Sequence, residues 1–270
     1  MGRLALVLLL LLAHFLPARA DGATVVTAAG DIATCASSAD RATGNLVRSI
    51  DPTVALTLGD NVYPDGSRSR FRNCYDPAWG SFKSTTRPAP GNHDYETANA
   101  AGYFGYFGTR AGPCCRGYYK FDAGRWRLYS LNSERNVAPQ ATWLRHDLRA
   151  HPHRCTLAYW HRPRFSDSTV HGDSTAVDRL WDVFAANGGD IVLAGHDHNY
   201  QRFPRIDGVR SFVVGTGGAS HYNVAPRRVA AYDEGHFGVL RLALGDGRYK
   251  WAYRRATGSA SDKGWGACRR

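Results

Sequence analysis

Short apolar runs alternate with amphipathic stretches along most of the chain. Residues 23–29 and 53–58 read as β-strands, with a helix predicted over residues 40–50 between them, a strand–helix–strand opening. Each of the two strands ends in a Gly-Asp pair, Gly30-Asp31 and Gly59-Asp60. If the strands lie parallel, both carboxylates leave the sheet at one edge, where open α/β sheets bind their ligands.

Further along, Pro88-Ala89-Pro90-Gly91-Asn92-His93-Asp94 is a stiff turn that delivers three polar side chains in succession. Residues 95–115 are rich in glycine and aromatics and contain Tyr-Phe-Gly twice, which reads as a packed loop. Strands over 118–122 and 126–131 form a hairpin, followed by a helix over 139–150 that Pro139 opens. A strand over 156–160 runs into His161, a helix covers 175–186, and a strand over 191–194 runs into Gly195-His196-Asp197-His198. Strands over 211–214, 238–244 and 248–254 follow, the last closing the sheet. The order is that of an α/β protein, and no Pro/Ser/Gly linker divides it, so residues 21–270 are expected to form one catalytic domain.

Composition changes this picture at three points. Arg3, the apolar run from Leu4 to Leu12 and Ala18-Arg19-Ala20 have the form of a secretory signal peptide over residues 1–20. His14, Pro17 and Arg19 interrupt the run before it could span a membrane, so no membrane span is expected in the mature chain. Export puts the six cysteines in an oxidising compartment, where an even number suggests disulfides, and Cys114-Cys115 is expected not to close on itself. The formal charge of +11 favours an anionic substrate, but thirty arginines spread along the chain do not by themselves predict specific nucleic-acid binding. Oligomeric state is left open.

The candidate chemistry lies in residues placed just after strands: Asp31, Asp60, Asn92, His161, His196 and His198. Oxygen donors mixed with imidazole suit Fe, Mn or Zn, and a bridging carboxylate would hold two ions about 3.5–4 Å apart. Each short motif is a weak signal alone. Five of them, once each and in sequence, each at the end of a predicted strand, are not.

Five blocks, Gly30-Asp31-Ile32-Ala33, Gly59-Asp60-Asn61-Val62-Tyr63, Gly91-Asn92-His93-Asp94, Ala158-Tyr159-Trp160-His161 and Gly195-His196-Asp197-His198, resemble the calcineurin-like metallophosphoesterases. The second block is similar to purple acid phosphatases in particular. The resemblance implies a four-layer sandwich of two mixed β-sheets flanked by helices. It also implies one metal ion on Asp31, Asp60, Tyr63 and His198 and a second on Asp60, Asn92, His161 and His196, with Asp60 bridging.

Ala33 stands where many relatives carry a ligand histidine and the purple acid phosphatase branch usually has glycine. Tyr63 can replace the missing ligand, and its phenol must lose a proton to do so, which favours Fe(III) there beside a divalent Fe, Zn or Mn. Tyr63 as a packed aromatic beside two Zn or Mn ions is the other reading. The resemblance makes His93 the general acid and His171 a substrate-binding histidine; Asp94 is expected to orient His93, and Arg162, Arg164, Arg202 and His221 are further substrate contacts to test. His146, His151, His153 and His236 read as structural. The expected activity is hydrolysis of small phosphate monoesters by a secreted enzyme, through a water that the ions activate. A phosphodiesterase, or a phosphate-binding protein without turnover, is the alternative.

Overall fold

A computed structural model describes residues 22–270, so the expected leader over residues 1–20 lies outside the described residues. Strand β1 (Thr24–Ala29), helix α1 (Ala39–Ile50) and β2 (Val54–Leu58) open the fold as the pattern predicts, and β1 and β2 pair in parallel, Val26 opposite Val54. Short helical turns α2 (Arg68–Arg70) and α3 (Asp76–Trp79) lead to β3 (Thr86–Ala89). The glycine-aromatic stretch is not merely a loop: α4 (Ala101–Phe107) forms inside it, packing Tyr103 and Phe107 into the core.

The hairpin β4 (Tyr119–Ala123) and β5 (Trp126–Ser130) is followed by α5 (Val137–Ala150), β6 (Cys155–Tyr159), α6 (Asp178–Ala186) and β7 (Ile191–Ala194). Strands β8 (Tyr200–Ile206), β9 (Val209–Val214), β10 (Ala231–Asp233), β11 (Gly238–Gly245), β12 (Arg248–Arg255) and β13 (Asp262–Ala267) complete the chain. They form two mixed sheets, in the orders β13-β12-β11-β1-β2-β3 and β10-β8-β9-β7-β6-β5-β4.

The main core is the apolar layer between the sheets, where Val26, Leu56, Leu240 and Leu242 meet Leu128, Leu157, Leu193 and Phe212. A second apolar cluster, with Leu144, Leu148, Leu180 and Phe184, lies beneath α5 and α6 on the outer side of the second sheet. The central strands β2, β6 and β7 are buried on both faces, which is why they read as continuous apolar runs rather than as alternations.

Four strands, β3, β8, β10 and β13, escape the hydrophobic pattern, three of them for identifiable reasons. Both β3 and β8 contain a proline, Pro88 and Pro204, and the fold tolerates each where the ladder is incomplete: β3 is an edge strand, and β8 has a bulge between Arg202 and Arg205. In β13, Gly264 and Gly266 leave room for the rings of Trp251 and Tyr249, so the strand lacks the inward side chains that would announce it. Consequently β12 does not close its sheet; β13 lies outside it.

Disulfides join Cys35 to Cys74 and Cys155 to Cys268. Contrary to the expectation, Cys114 is paired with Cys115. The other four cysteines satisfy one another, and these two share an exposed turn with Cys115 in the left-handed region at φ 67°, so no distant sulfur is left for either. Among the described residues no helix is long and apolar enough to cross a membrane.

Candidate metal centre

The parallel pairing of β1, β2 and β3 in one sheet, and of β5, β6 and β7 in the other, carries five turns to a common rim. The turns are stitched together by main chain: Asp31 N–H donates to Gly59 O at 3.1 Å, Ile32 N–H to Asp60 O at 3.0 Å, and Gly195 N–H to His161 O at 3.0 Å. Asp31, Asp60 and His196 hold left-handed backbone, φ 59°, 48° and 70°, an unfavourable state for residues with a side chain and one that concentrates at functional sites. Gly59 is required at its position, since a Cβ there would lie 2.5 Å from the His161 ring. The Ala33 methyl is accommodated: Ala33 is buried and its carbonyl accepts Tyr63 N–H at 2.8 Å.

The Asp60 carboxylate sits between two groups of donors. On one side, Tyr63 Oη lies 3.0 Å from Asp60 Oδ2, 2.8 Å from Asp31 Oδ1 and 3.1 Å from His198 Nε2. On the other, His161 Nε2 lies 3.3 Å from Asp60 Oδ2, 3.1 Å from Asn92 Oδ1 and 3.1 Å from His196 Nδ1. The fold thus brings all seven residues named as ligands to this rim. The remaining nitrogens are tethered, His161 Nδ1 to Leu58 O at 2.9 Å and His198 Nδ1 to Ser220 Oγ at 2.5 Å, which leaves each Nε2 facing the cleft.

The electrostatics of these groups fit a cation. Burial disfavours charge on His161, yet the adjacent Asp60 carboxylate lifts its pKa to about 10. Burial disfavours charge on Asp60 as well, and the His161 imidazolium overcomes this and holds the carboxyl well below its usual range. Burial and the His161 charge push His196 down to about 2, so it is a neutral imidazole with a lone pair to offer. Burial and the Asp31 and Asp60 carboxylates hold the Tyr63 phenol well above its usual 10. Asp60 and Asp31 also accept the main-chain N–H groups of His93 and His196, both at 2.8 Å, and a metal ion bound among these residues would take the place of protons on its ligands. Asp60, His161 and His196 present ligand atoms within 4.8 Å of one another, and the donor set fits two hard or borderline ions.

A family model for calcineurin-like phosphoesterases matches residues 24–200, which contain all five turns. The chain belongs to this family. Its relatives include purple acid phosphatase 22 of Arabidopsis thaliana, 25% identical over 261 residues that cover 82% of this chain and 58% of the relative. Purple acid phosphatase 15 of the same plant is 27% identical over 57% of this chain and 36% of its own length. The chain thus spans about half the length of the curated relatives it matches. Among solved structures, a purple acid phosphatase from yellow lupin seeds superposes with a TM-score of 0.76 at 18% identity, over 90% of this chain and 53% of that one. GAP50, described as the anchor in the inner membrane complex of Plasmodium, superposes with a TM-score of 0.74 at 11% identity, over 92% and 89%. Those two likenesses establish the metallophosphoesterase fold, and the second shows that the fold by itself does not settle what a member does.

Of the other candidates in this family member, His93 and His171 lie at the mouth of the cleft. His93 is 34% exposed, with Nδ1 2.6 Å from Pro64 O and Nε2 3.9 Å from Asp60 Oδ2. His171 stacks on His196 at 4.0 Å, its Nδ1 3.1 Å from Asp197. Asp94 does not orient His93: its carboxylate accepts Gly91 N–H and the Asn61 amide, both at 2.9 Å, and so ties the third turn to the second, while Pro64 O holds His93. Arg162 does face the centre, gripped by both Glu134 oxygens at 3.0 Å and placed 3.1 Å from His196 Nε2.

Arg164 and Arg202 do not reach it, because each is held by a carboxylate, Asp178 at 2.5 Å and Asp262 at 2.8 Å. His221 packs on Phe237 instead. His151 and His236 are paired with Asp147 and Asp233, consistent with structural roles. The sequence reading missed Glu134, Ser220 and Tyr222, whose ring stacks on His198 at 4.1 Å. All three lie in loops outside the five motifs, and nothing local marks them.

Proposed function

We propose that this protein is an exported phosphatase that hydrolyses small phosphate monoesters with two metal ions. The observation that carries the reading is the placement of Asp60 between two sets of ligand atoms, 3.0 Å from Tyr63 on one side and 3.3 Å from His161 on the other. Asp31, Tyr63 and His198 would complete one ion's set, and Asn92, His161 and His196 the other's. Ions so held would supply Lewis acidity to a phosphate ester and lower the pKa of a water beside it. Tyr63, pressed by two carboxylates, favours Fe(III) on its side, with Fe, Zn or Mn on the other.

The chain's own groups have distinct tasks. Pro64 O fixes His93 through Nδ1, so Nε2 is the nitrogen turned to the cleft and the one that would protonate the leaving oxygen. Glu134 pre-orders Arg162, whose planar guanidinium suits a phosphate oxygen better than a flexible ammonium would. Asp197 keeps the His171 ring against His196 at the cleft mouth, where it can meet the substrate. Export is supported by the disulfides Cys35–Cys74 and Cys155–Cys268, since such bonds persist in oxidising compartments.

The test is elemental analysis and a visible spectrum of purified protein, together with rates on aryl phosphate mono- and diesters of one leaving group. Two ions per chain, a tyrosinate–iron band and faster monoester cleavage are expected. A strong diester preference would replace the monoesterase by a phosphodiesterase, and metal loading without turnover would leave a binding protein.

A further inference from the structure

The outer face of the first sheet divides in two. Helix α1 covers it over β1, so that Thr27, on the outward side, is buried. The helix also packs against β11, where the outward Val239 is buried. Beyond that contact alternate positions point to solvent, Arg248, Lys250 and Arg254 on β12 and Lys263 and Trp265 on β13, with Arg241 of β11 half-buried at the margin. The ladder brings Lys250 beside Trp265, Lys263 beside Ala252, and Ala252 beside Arg241, so the cations share one surface with a floor of small residues. None of these five cations forms an ion pair within the described residues. The carboxylate at the border, Asp246, lies 3.3 Å from Arg154 and 3.9 Å from Arg125. Trp265 is 72% exposed, far more than any other tryptophan or phenylalanine described. Beside it lies a groove of about 760 Å³ bordered by Arg241, Arg248 and Lys250.

We propose that this face binds single-stranded nucleic acid without sequence preference, its phosphates along the β12 cations and a base stacked on Trp265. Unpaired cations on a surface release counterions when they meet a polyphosphate backbone, and an exposed indole supplies a stacking platform indifferent to base identity. Side chains at every second position of a strand are about 6.6 Å apart, so Arg248, Lys250 and Arg254 form a row rather than a point charge. The row has a direction. Because β11 runs antiparallel to β1, Arg254, opposite Val239, lies toward the end of the sheet where Gly30 turns into the metal rim, and Arg248 lies at the far end. The cations on this face all fall within the last thirty residues, and spread along a sequence they give no sign of converging. Binding of this kind reads no bases and differs from the specific recognition that composition argues against.

Fluorescence anisotropy of labelled oligo(dT) with the metal-loaded protein tests the proposal. Binding at low salt is expected, and the triple substitution Arg248→Gln, Lys250→Gln, Lys263→Gln should lower the slope of log K against log salt by about 2 and weaken binding roughly tenfold or more. Trp265→Ala should weaken it by about tenfold, with Trp265→Phe restoring most of the loss. All these variants should hydrolyse aryl phosphate at the parent rate. Absence of binding, or binding indifferent to the triple substitution, overturns the proposal. Polyphosphate competing as well as oligo(dT) while Trp265→Ala is silent overturns it too, and so does tighter binding to phosphatidylglycerol vesicles through the same residues. Neither result depends on turnover, so a protein that binds oligo(dT) but hydrolyses nothing would refute the phosphatase reading and leave this face standing.

Discussion

At the rim, Asp31, Asp60, His161 and His196 are buried and each meets a complementary group within 3.3 Å; on the outer face of β11–β13, five cations, four of them exposed, form no ion pair among the described residues. The difference follows from where charge is affordable. A buried ionised group must be paired, hydrogen-bonded or bound to a metal, because desolvation otherwise costs several kcal/mol, on the order of the net stability of a whole domain. An exposed cation keeps its water and needs no partner. Rim residues are therefore interlocked, and one change there propagates, whereas face residues act singly and can be exchanged without disturbing the fold.

Substitutions can break or sharpen that contrast. Asp60→Ala should have the largest effect, removing both ions and lowering turnover by more than about 10⁴-fold, beyond what loss of one proton donor gives. Elemental analysis beside an aryl-phosphate assay checks this, and a variant that keeps one firmly bound ion would show that Asp60 serves only one of them. His93→Ala should lower kcat by about 10²- to 10⁴-fold with both ions retained. Metal loss in that variant would instead make His93 part of the cage.

Ser220→Ala removes the partner of His198 Nδ1 and should weaken metal retention by about 10- to 100-fold, read by competition with a chelator, while Ser220→Thr preserves it. Smallest of all, Lys250→Gln on the bare face should shift unfolding free energy by less than about 0.5 kcal/mol and leave hydrolysis unchanged. A larger destabilisation would show that the face is already paired to something within the chain.

What could be read in advance follows the same physical division. Gly30-Asp31, Gly59-Asp60, His161 and His196-Asp197-His198 are legible because strand ends deliver them and a strand announces itself locally through its apolar run, whereas Asn92 is legible from its Pro-Gly turn, since β3 before it lacks such a run. The partners that hold those residues are not legible. Glu134 reaches Arg162 across 28 positions and Ser220 reaches His198 across 22, with no periodicity linking them. The Asp94 carboxylate was assigned to its neighbour His93, but the turn folds it back onto Gly91 and Asn61, because a buried carboxylate takes the nearest inward N–H donors rather than the adjacent side chain.

By itself the sequence determined the apolar core strands and the helices α1, α5 and α6 between them, the family, and the ligand types on offer, since these depend on local composition and on the order of short motifs. Only the tertiary structure decided that β13 closes the first sheet, that Arg162 faces the centre while Arg202 is held by Asp262, and that five scattered cations share one side of three strands. Each of these depends on strand register and sheet order. They are set by the packing of two apolar faces against each other and not by any one segment's own pattern.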